Sequence, residues 1–275
     1  MLGKRIITAI IGALATVFLV HYGQSVFALA ALIFTLLAWR EFCNMMSNSE
    51  INGARLLGAI AIILIWGTAW LGNFQETIAV LVVATFIIMA KVILTNASFT
   101  LRDAIYTIFG IVYIGLSFAH LVLLRFTDCS FEIKTAMGLL QSGEVFFWVA
   151  IIGTWASDTF AFFVGSWLGK HKLAPLISPG KTWEGLAGGV AGSIIAVIVI
   201  GNLCNLNLYN SACAGLLIGI VAPLGDLIES AIKRSAGVKD SSNLLPGHGG
   251  ILDRFDSIMF TVPIVYYYII TFGIS

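Results

Sequence analysis

The chain has 275 residues, of which 59% are hydrophobic and 11% charged, with a mean hydropathy of +0.98 and a formal net charge of +1. Soluble proteins carry about 25% charged residues, so this composition excludes an ordinary water-soluble domain and points to a polytopic membrane protein. The near-zero net charge argues against a nucleic-acid partner, but it hides an uneven distribution of charge along the chain.

A bilayer core is crossed by about 20 apolar residues in a helix. Apolar runs with few charges centre near residues 6–22, 25–39, 55–72, 77–95, 104–124, 145–168, 186–204, 211–229 and 256–274, which predicts about nine transmembrane helices in an all-α fold. Lys4-Arg5, the first run and Ala28-Leu29-Ala30 imitate a secretory signal, but the apolar pattern resumes at once, so a retained helix is expected. With nine spans and the N-terminus inside, thirteen of the fifteen Lys/Arg fall on the cytoplasmic side and only Arg125 and Lys134 outside. Basic residues resist translocation, so this orientation is the expected one.

There is no repeat, low-complexity tract or linker. One integral-membrane domain over 1–275 is expected, with N-terminal helices in 1–144 and the chemistry-bearing helices and loops in 145–275. Cys43, Cys129, Cys204 and Cys213 form no CxxC pair, and buried thiols are the simpler reading, although Cys204 and Cys213 bracket a short outer loop and could pair.

Polar residues inside apolar runs are the next signal, because an ionised Asp at mid-bilayer costs about 2.5–3.5 kcal/mol on insertion scales. Asp158 interrupts the run at 145–168, and function and interhelical hydrogen bonding weigh about equally for it. SPGKTWEG follows, at 178–185. Its GKT is not a nucleotide-binding P-loop, because Pro175 stands where that motif needs its first glycine. Asp226 comes just after Pro223 and Gly225, which are expected to break the helix and free backbone carbonyls at a cavity. In helical spacing, Asp226, Glu229, Ser230 and Lys233 line one face.

That face leads into KRSAGVKDSSNLLPGHGGILDRFDS (233–257), the longest markedly polar run in the chain. It ends in Asp253 and Asp256, an i, i+3 pair if the last helix begins near Ile251. Acidic oxygens with no His/Cys set at ligand spacing suit Mg²⁺, which takes one or two protein carboxylates and fills its octahedron with water and phosphate. Lys181, Lys233, Arg234, Lys239 and Arg254 surround them in sequence, and the glycines of PGHGG and SPG let backbone N–H groups approach an anion. Metal plus cations implies phosphate chemistry. His248 alone is weak evidence, since a lone His in a Gly-rich turn is commonly just solvated.

Ser230-Ala-Ile-Lys233-Arg234, Lys239-Asp240 and Pro246-Gly-His248-Gly249-Gly250-Ile-Leu-Asp253-Arg254-Phe-Asp256 resemble the full signature of the phosphatidate cytidylyltransferases, and residues 156–185 resemble that family's second motif. The resemblance covers the C-terminal half; the N-terminal helices match only in being apolar. It implies a membrane enzyme that joins CTP to phosphatidic acid, giving CDP-diacylglycerol and pyrophosphate with Mg²⁺ required. Its active-site funnel would open to the cytoplasm and the inner leaflet of the cell membrane.

Carried over by position, the resemblance makes Asp226 and Asp253 magnesium ligands, with Asp256 contributing to a second cation such as K⁺. Lys233, Arg234, Lys239, Asp240, His248 and Arg254 become the catalytic set. Ser178, Lys181, Ser230, Gly249 and Gly250 would contact substrate, and Asp158 would line the funnel floor. The GxxxG pairs Gly165/Gly169, Gly188/Gly192 and Gly215/Gly219 suit either intramolecular packing or a homodimer. Rival readings are the same transfer to another lipid phosphate, a transporter, and a lipid-binding scaffold. A transporter would show matching broken helices in two related halves, and a scaffold leaves the carboxylates unexplained.

Overall fold

The computed structural model describes residues 2–96, 98–128, 133–135, 138–245, 247 and 249–272. Of the described residues, 77% are helical. Among the described residues all nine predicted apolar segments form helices, but six are long and apolar enough to cross a membrane: Ser25–Ser47, Gln75–Leu94, Leu101–Arg125, Ser142–Leu168, Trp183–Leu203 and Leu208–Ser235. Among the described residues, Ile10–Tyr22, Arg55–Trp70 and Ile258–Phe272 are apolar but shorter. At 1.5 Å per residue, the 16 residues of Arg55–Trp70 span about 24 Å, less than a typical hydrocarbon core of about 30 Å. The all-α expectation also misses two small antiparallel hairpins, β1 (Ile133–Thr135) with β2 (Gly138–Leu140) and β3 (Lys172–Ala174) with β4 (Ser178–Thr182).

The chain forms two compact units, one of Met1–Leu123 with Ile232–Arg254 and the other of Leu124–Ala231 with Phe255–Ser275. The first contains α1 (Leu2–Tyr22), α2 (Gln24–Ser47), α3 (Arg55–Trp70), α4 (Phe74–Leu94) and α5 (Leu101–Gly110). A π-helical stretch, Ile111–Leu116, then leads into α6 (Ser117–Arg125). Phe42, Ile62, Ile65, Ile111 and Ile114 are fully buried there.

Polar groups in this unit fix the connections between helices. Trp39 Nε1 donates to the Arg55 carbonyl at 3.0 Å and Trp66 Nε1 to that of Ala28 at 3.0 Å. At the start of α5, Thr100 and Asp103 form a reciprocal capping box, and Asp103 Oδ1 also accepts from the Asn52 N–H at 2.6 Å. The α2–α3 loop is thereby tied to α5, and this fixes the C-terminal end of α2.

The second unit holds α7 (Ser142–Leu168), α8 (Trp183–Leu203), most of α9 (Leu208–Ser235) and α11 (Ile258–Phe272). The GxxxG glycines are used within the chain. A Cβ on Gly188 would overlap Val164 and one on Gly192 would overlap Phe160, which joins α8 to α7; Gly215 and Gly219 lie against the backbone of Ile194 and Val190, which joins α9 to α8. Thr154 Oγ1 donates to Thr261 Oγ1 at 2.9 Å between α7 and α11. Cys43, Cys204 and Cys213 are free thiols, so Cys204 and Cys213 are not paired; Cys129 lies outside the described residues.

Candidate functional site

Pro223 does not break α9, which runs unbroken for 28 residues. Its missing N–H removes one intrahelical bond at Gly219, but the flanking turns retain theirs and the helix packs on both α8 and α11 through small residues. The predicted face exists: Glu229 is 1% exposed, and Asp226, Ser230 and Lys233 are half-buried.

Two sets of polar residues emerge, one in each unit. In the second unit, β4 brings Lys181 to α9, where its Nζ lies 2.9 Å from Asp226 Oδ2 and donates to the Pro223 carbonyl at 3.1 Å. Ser230 Oγ reaches Asp226 Oδ1 at 3.3 Å. The strand register places Ser178 opposite Ala174 and Thr182 opposite Lys172. Thr182 caps α8 by accepting from the Gly185 N–H at 3.1 Å. Glu184 closes the base of the hairpin, accepting from the backbone of Lys170 and His171 and pairing with the His171 ring at 2.6 Å.

In the first unit, Asp253 sits in the short helix α10 (Leu252–Phe255) and is enclosed. Its Oδ1 accepts from Lys233 Nζ at 2.6 Å. Its Oδ2 accepts from the Ser241 N–H at 2.8 Å, the Ser241 hydroxyl at 2.7 Å and the Gly250 N–H at 2.8 Å. Burial pushes the carboxyl up, but the hydrogen bonds from Gly250, Lys233 and Ser241 outweigh it, and the net effect holds Asp253 below its ordinary value. Gly249 has φ +82°, and a Cβ there would lie 2.5 Å from Asp253 Oδ2, so only glycine fits this turn.

Other predicted residues are placed less specifically. Arg234 is exposed and donates to the Val238 carbonyl at 3.0 Å; Lys239, Asp240 and Arg254 are exposed as well. Asp158 lies on an exposed part of α7. His248 and Pro246 fall outside the described residues. Asp253 and Asp256 do not share a helix: α10 ends at Phe255, α11 begins at Ile258, and Asp256 Oδ1 accepts the Ser257 N–H at 2.7 Å. The side-chain oxygen takes a donor that a continuous helix would direct to a backbone carbonyl.

No group of three or more His, Cys, Asp or Glu side chains gathers at metal-ligand distance among the described residues. Magnesium needs only one or two carboxylates when phosphate and water supply the remaining ligands, so a carboxylate taken singly, Asp226 in one unit or Asp253 in the other, is the donor type such an ion takes.

The sequence reading passed over Glu41, which is 5% exposed in the last turns of α2. Its carboxylate accepts from Ser242 Oγ at 2.6 Å, Ile251 N at 2.9 Å and Leu252 N at 3.0 Å, and it lies 3.2 Å from Ser241 Oγ. The signal was available: a carboxylate closing an apolar run, the same criterion that selected Asp158. Glu184 and His171 were not singled out in sequence: they stand 13 positions apart and meet only through the β3–β4 hairpin.

The model of the cytidylyltransferase family matches residues 3–272. The phosphatidate cytidylyltransferase of Staphylococcus haemolyticus (strain JCSC1435) is 34% identical over 267 residues, covering 95% of this chain and 96% of that protein. Proteins of the same name from Staphylococcus epidermidis (strain ATCC 12228 / FDA PCI 1200) and Staphylococcus aureus (strain COL) are each 33% identical over 265 residues, again 95% of this chain and 96% of theirs. A match that runs through the N-terminal helices as well as the polar loop, over nearly the whole length, places this chain in the cytidylyltransferase family.

Proposed function

We propose that this protein transfers the cytidylyl group of CTP to phosphatidic acid, forming CDP-diacylglycerol and pyrophosphate in phospholipid biosynthesis. The observation that carries the reading is the near full-length similarity to proteins named phosphatidate cytidylyltransferase, in a chain with six helices apolar enough to cross a membrane.

In the reaction, an oxygen of the lipid phosphate attacks the α-phosphorus of CTP. The new P–O bond forms as the bond to the β,γ-pyrophosphate breaks. No general base is required, because a phosphate monoester is already anionic at neutral pH. The barrier is one of bringing anions together, so Lys233, Arg234, Lys239 and Arg254 neutralise the triphosphate and the lipid phosphate. Lys181, Ser178 and Ser230 contact phosphate, and Gly249 and Gly250, in the turn that carries Asp253, are assigned to substrate binding as well. Asp240 and His248 belong to the same catalytic loop. Asp226 and Asp253 are the proposed Mg²⁺ ligands, Asp256 contributes to a second cation such as K⁺, and the metal supplies charge neutralisation at the phosphates. Both carboxylates are paired with lysines, Asp226 with Lys181 and Asp253 with Lys233, which keeps anionic ligand and cationic phosphate contact side by side.

The N-terminus and the polar loop at 233–257 are proposed to face the cytoplasm, where CTP is found, with phosphatidic acid entering from the inner leaflet. The three shorter helices then cross with local thinning of the bilayer, completing nine spans. Asp158 is assigned to the floor of the funnel, and a homodimer is compatible with these assignments.

The test is incubation of the purified protein in detergent micelles with phosphatidic acid, labelled CTP and Mg²⁺. Label should appear in a lipid and should disappear with a chelator; no labelled lipid, with a relative active alongside, overturns the reading. For orientation, a cysteine at exposed Lys172 or Asn243 should be labelled by an impermeant thiol reagent only after the inner face is opened.

A further inference from the structure

Glu41 stands in the last turns of the largely apolar α2, and its hydrogen-bond donors come from a segment about two hundred residues away. Burying a carboxylate is costly unless it is fully hydrogen-bonded, and here the bonds come from Ser242, Ile251 and Leu252. The approach is possible because position 250 is glycine: a Cβ there would lie 2.5 Å from both Glu41 carboxylate oxygens and would overlap Ser241 Oγ. Ser241 then bridges inward. Its hydroxyl lies 3.2 Å from Glu41 and 2.7 Å from Asp253, and its single hydrogen serves one carboxylate at a time. The groups that orient Asp253, the Ser241 N–H and hydroxyl and the Gly250 N–H, are thus the immediate neighbours of the groups that Glu41 holds.

We infer that Glu41 is a positioning residue for the transfer reaction. It fixes the path of 241–252 and, through Ser241 and Gly250, sets the Asp253 carboxylate and the Lys233 ammonium bonded to it. The inference rests on the cytidylyl-transfer reading for its kinetic consequence, but its structural consequence is measurable without turnover. The N-terminal helices therefore supply a polar part of the machinery as well as an apolar scaffold.

The test uses the full-length protein in micelles with Glu41→Ala, Glu41→Gln and, with Glu41 left in place, Gly250→Ala. Steady-state kinetics with phosphatidic acid and Mg·CTP are read beside amide hydrogen exchange. For Glu41→Ala, the KM for CTP should rise about tenfold and kcat/KM should fall about a hundredfold. Exchange at 241–252 should accelerate while that of α7 and α8 stays as in the wild type. Glu41→Gln keeps one acceptor oxygen but turns an NH₂ toward donors, so it should fall between the two, and Gly250→Ala should reproduce the KM rise. Wild-type kinetics in Glu41→Ala overturn the inference. So does a fall in kcat with KM and loop exchange unmoved, which is the signature of a smaller folded fraction. If Glu41→Ala does not accumulate, the Gln and Gly250→Ala variants decide by the same readouts. If the wild type makes no CDP-diacylglycerol, the cytidylyl reading fails, and unchanged exchange at 241–252 in the variants would separately overturn the positioning role.

Discussion

Asp253 and Asp226 look equivalent in sequence, each an acid beside a lysine-bearing stretch, yet the two regions solve different physical problems. The Asp253 side chain is 6% exposed and its Lys233 partner 11%, whereas Asp226 is 34% exposed and Lys181 22%. Four hydrogen bonds hold Asp253 in one orientation; Asp226 has its lysine and a long contact from Ser230. A buried ion pair tolerates the loss of neither member, because the survivor is left as an uncompensated charge, while a partly solvated pair is worth little to stability. The first region is therefore built for rigidity and the second for exchange of partners, and the following measurements bear on that contrast.

The largest effect should come from Asp253→Asn. Activity should fall by about a thousandfold, and the loss of the charge opposite Lys233 should also cost about 3 kcal/mol of stability. Lower yield together with a depressed Tm in detergent would show both effects, and an Asn variant as stable as the wild type would mean that the Lys233 charge does not depend on Asp253. Considered from sequence alone, this substitution looks benign for folding, since removing a costly charge from apolar surroundings need not destabilise. The Lys233 contact reverses that expectation.

Asp226→Asn should separate the two effects. Activity should drop about a hundredfold, with stability changed by less than about 1 kcal/mol, because the partly solvated pair contributes little and Lys181 retains the Pro223 carbonyl. Equal destabilisation by the two Asn variants would mean that the two regions do not differ in rigidity. Glu76→Gln, at an exposed position in the first turn of α4, should leave both quantities unchanged.

Gly249→Ala probes the rigid region through the backbone. A side chain at φ +82° is strained and would press on Asp253, so a loss of about 1–3 kcal/mol and about a tenfold drop in turnover are expected. The smallest effect is on pH dependence. Asp253 is held below its ordinary carboxyl value, so its contribution to stability is complete above the unfolded value of about 3.9 and is lost as pH falls through the lower folded value. The Tm gap between wild type and Asp253→Asn should accordingly be constant from neutral pH down to about pH 5 and close below about pH 4. A gap that closes near neutrality would point to a different titrating group.

Much of the molecule is legible in the chain because membrane helices obey a one-dimensional rule. Apolar runs become helices whatever they pack against, and among the described residues a helix appears at each of the nine, six of them long enough to cross a membrane. The helical face from Asp226 to Lys233 follows as directly from a period of 3.6 residues. Local sequence could not decide where that regularity yields. Pro223 leaves α9 whole because small residues let its neighbours pack closely, whereas the helix proposed across Asp253 and Asp256 is interrupted where Asp256 binds the Ser257 N–H.

The sequence by itself determined the helices, the polar loop and the residue types suited to phosphate chemistry, since each depends on composition and spacing within a few turns. Tertiary structure alone decided which carboxylate is caged and which stays exposed, that the GxxxG glycines join α7, α8 and α9, and that Glu41 grips 241–252. These are contacts between residues tens to hundreds of positions apart. Their partners are selected by packing and by the need to satisfy every buried polar group, and neither leaves a periodic trace in the sequence.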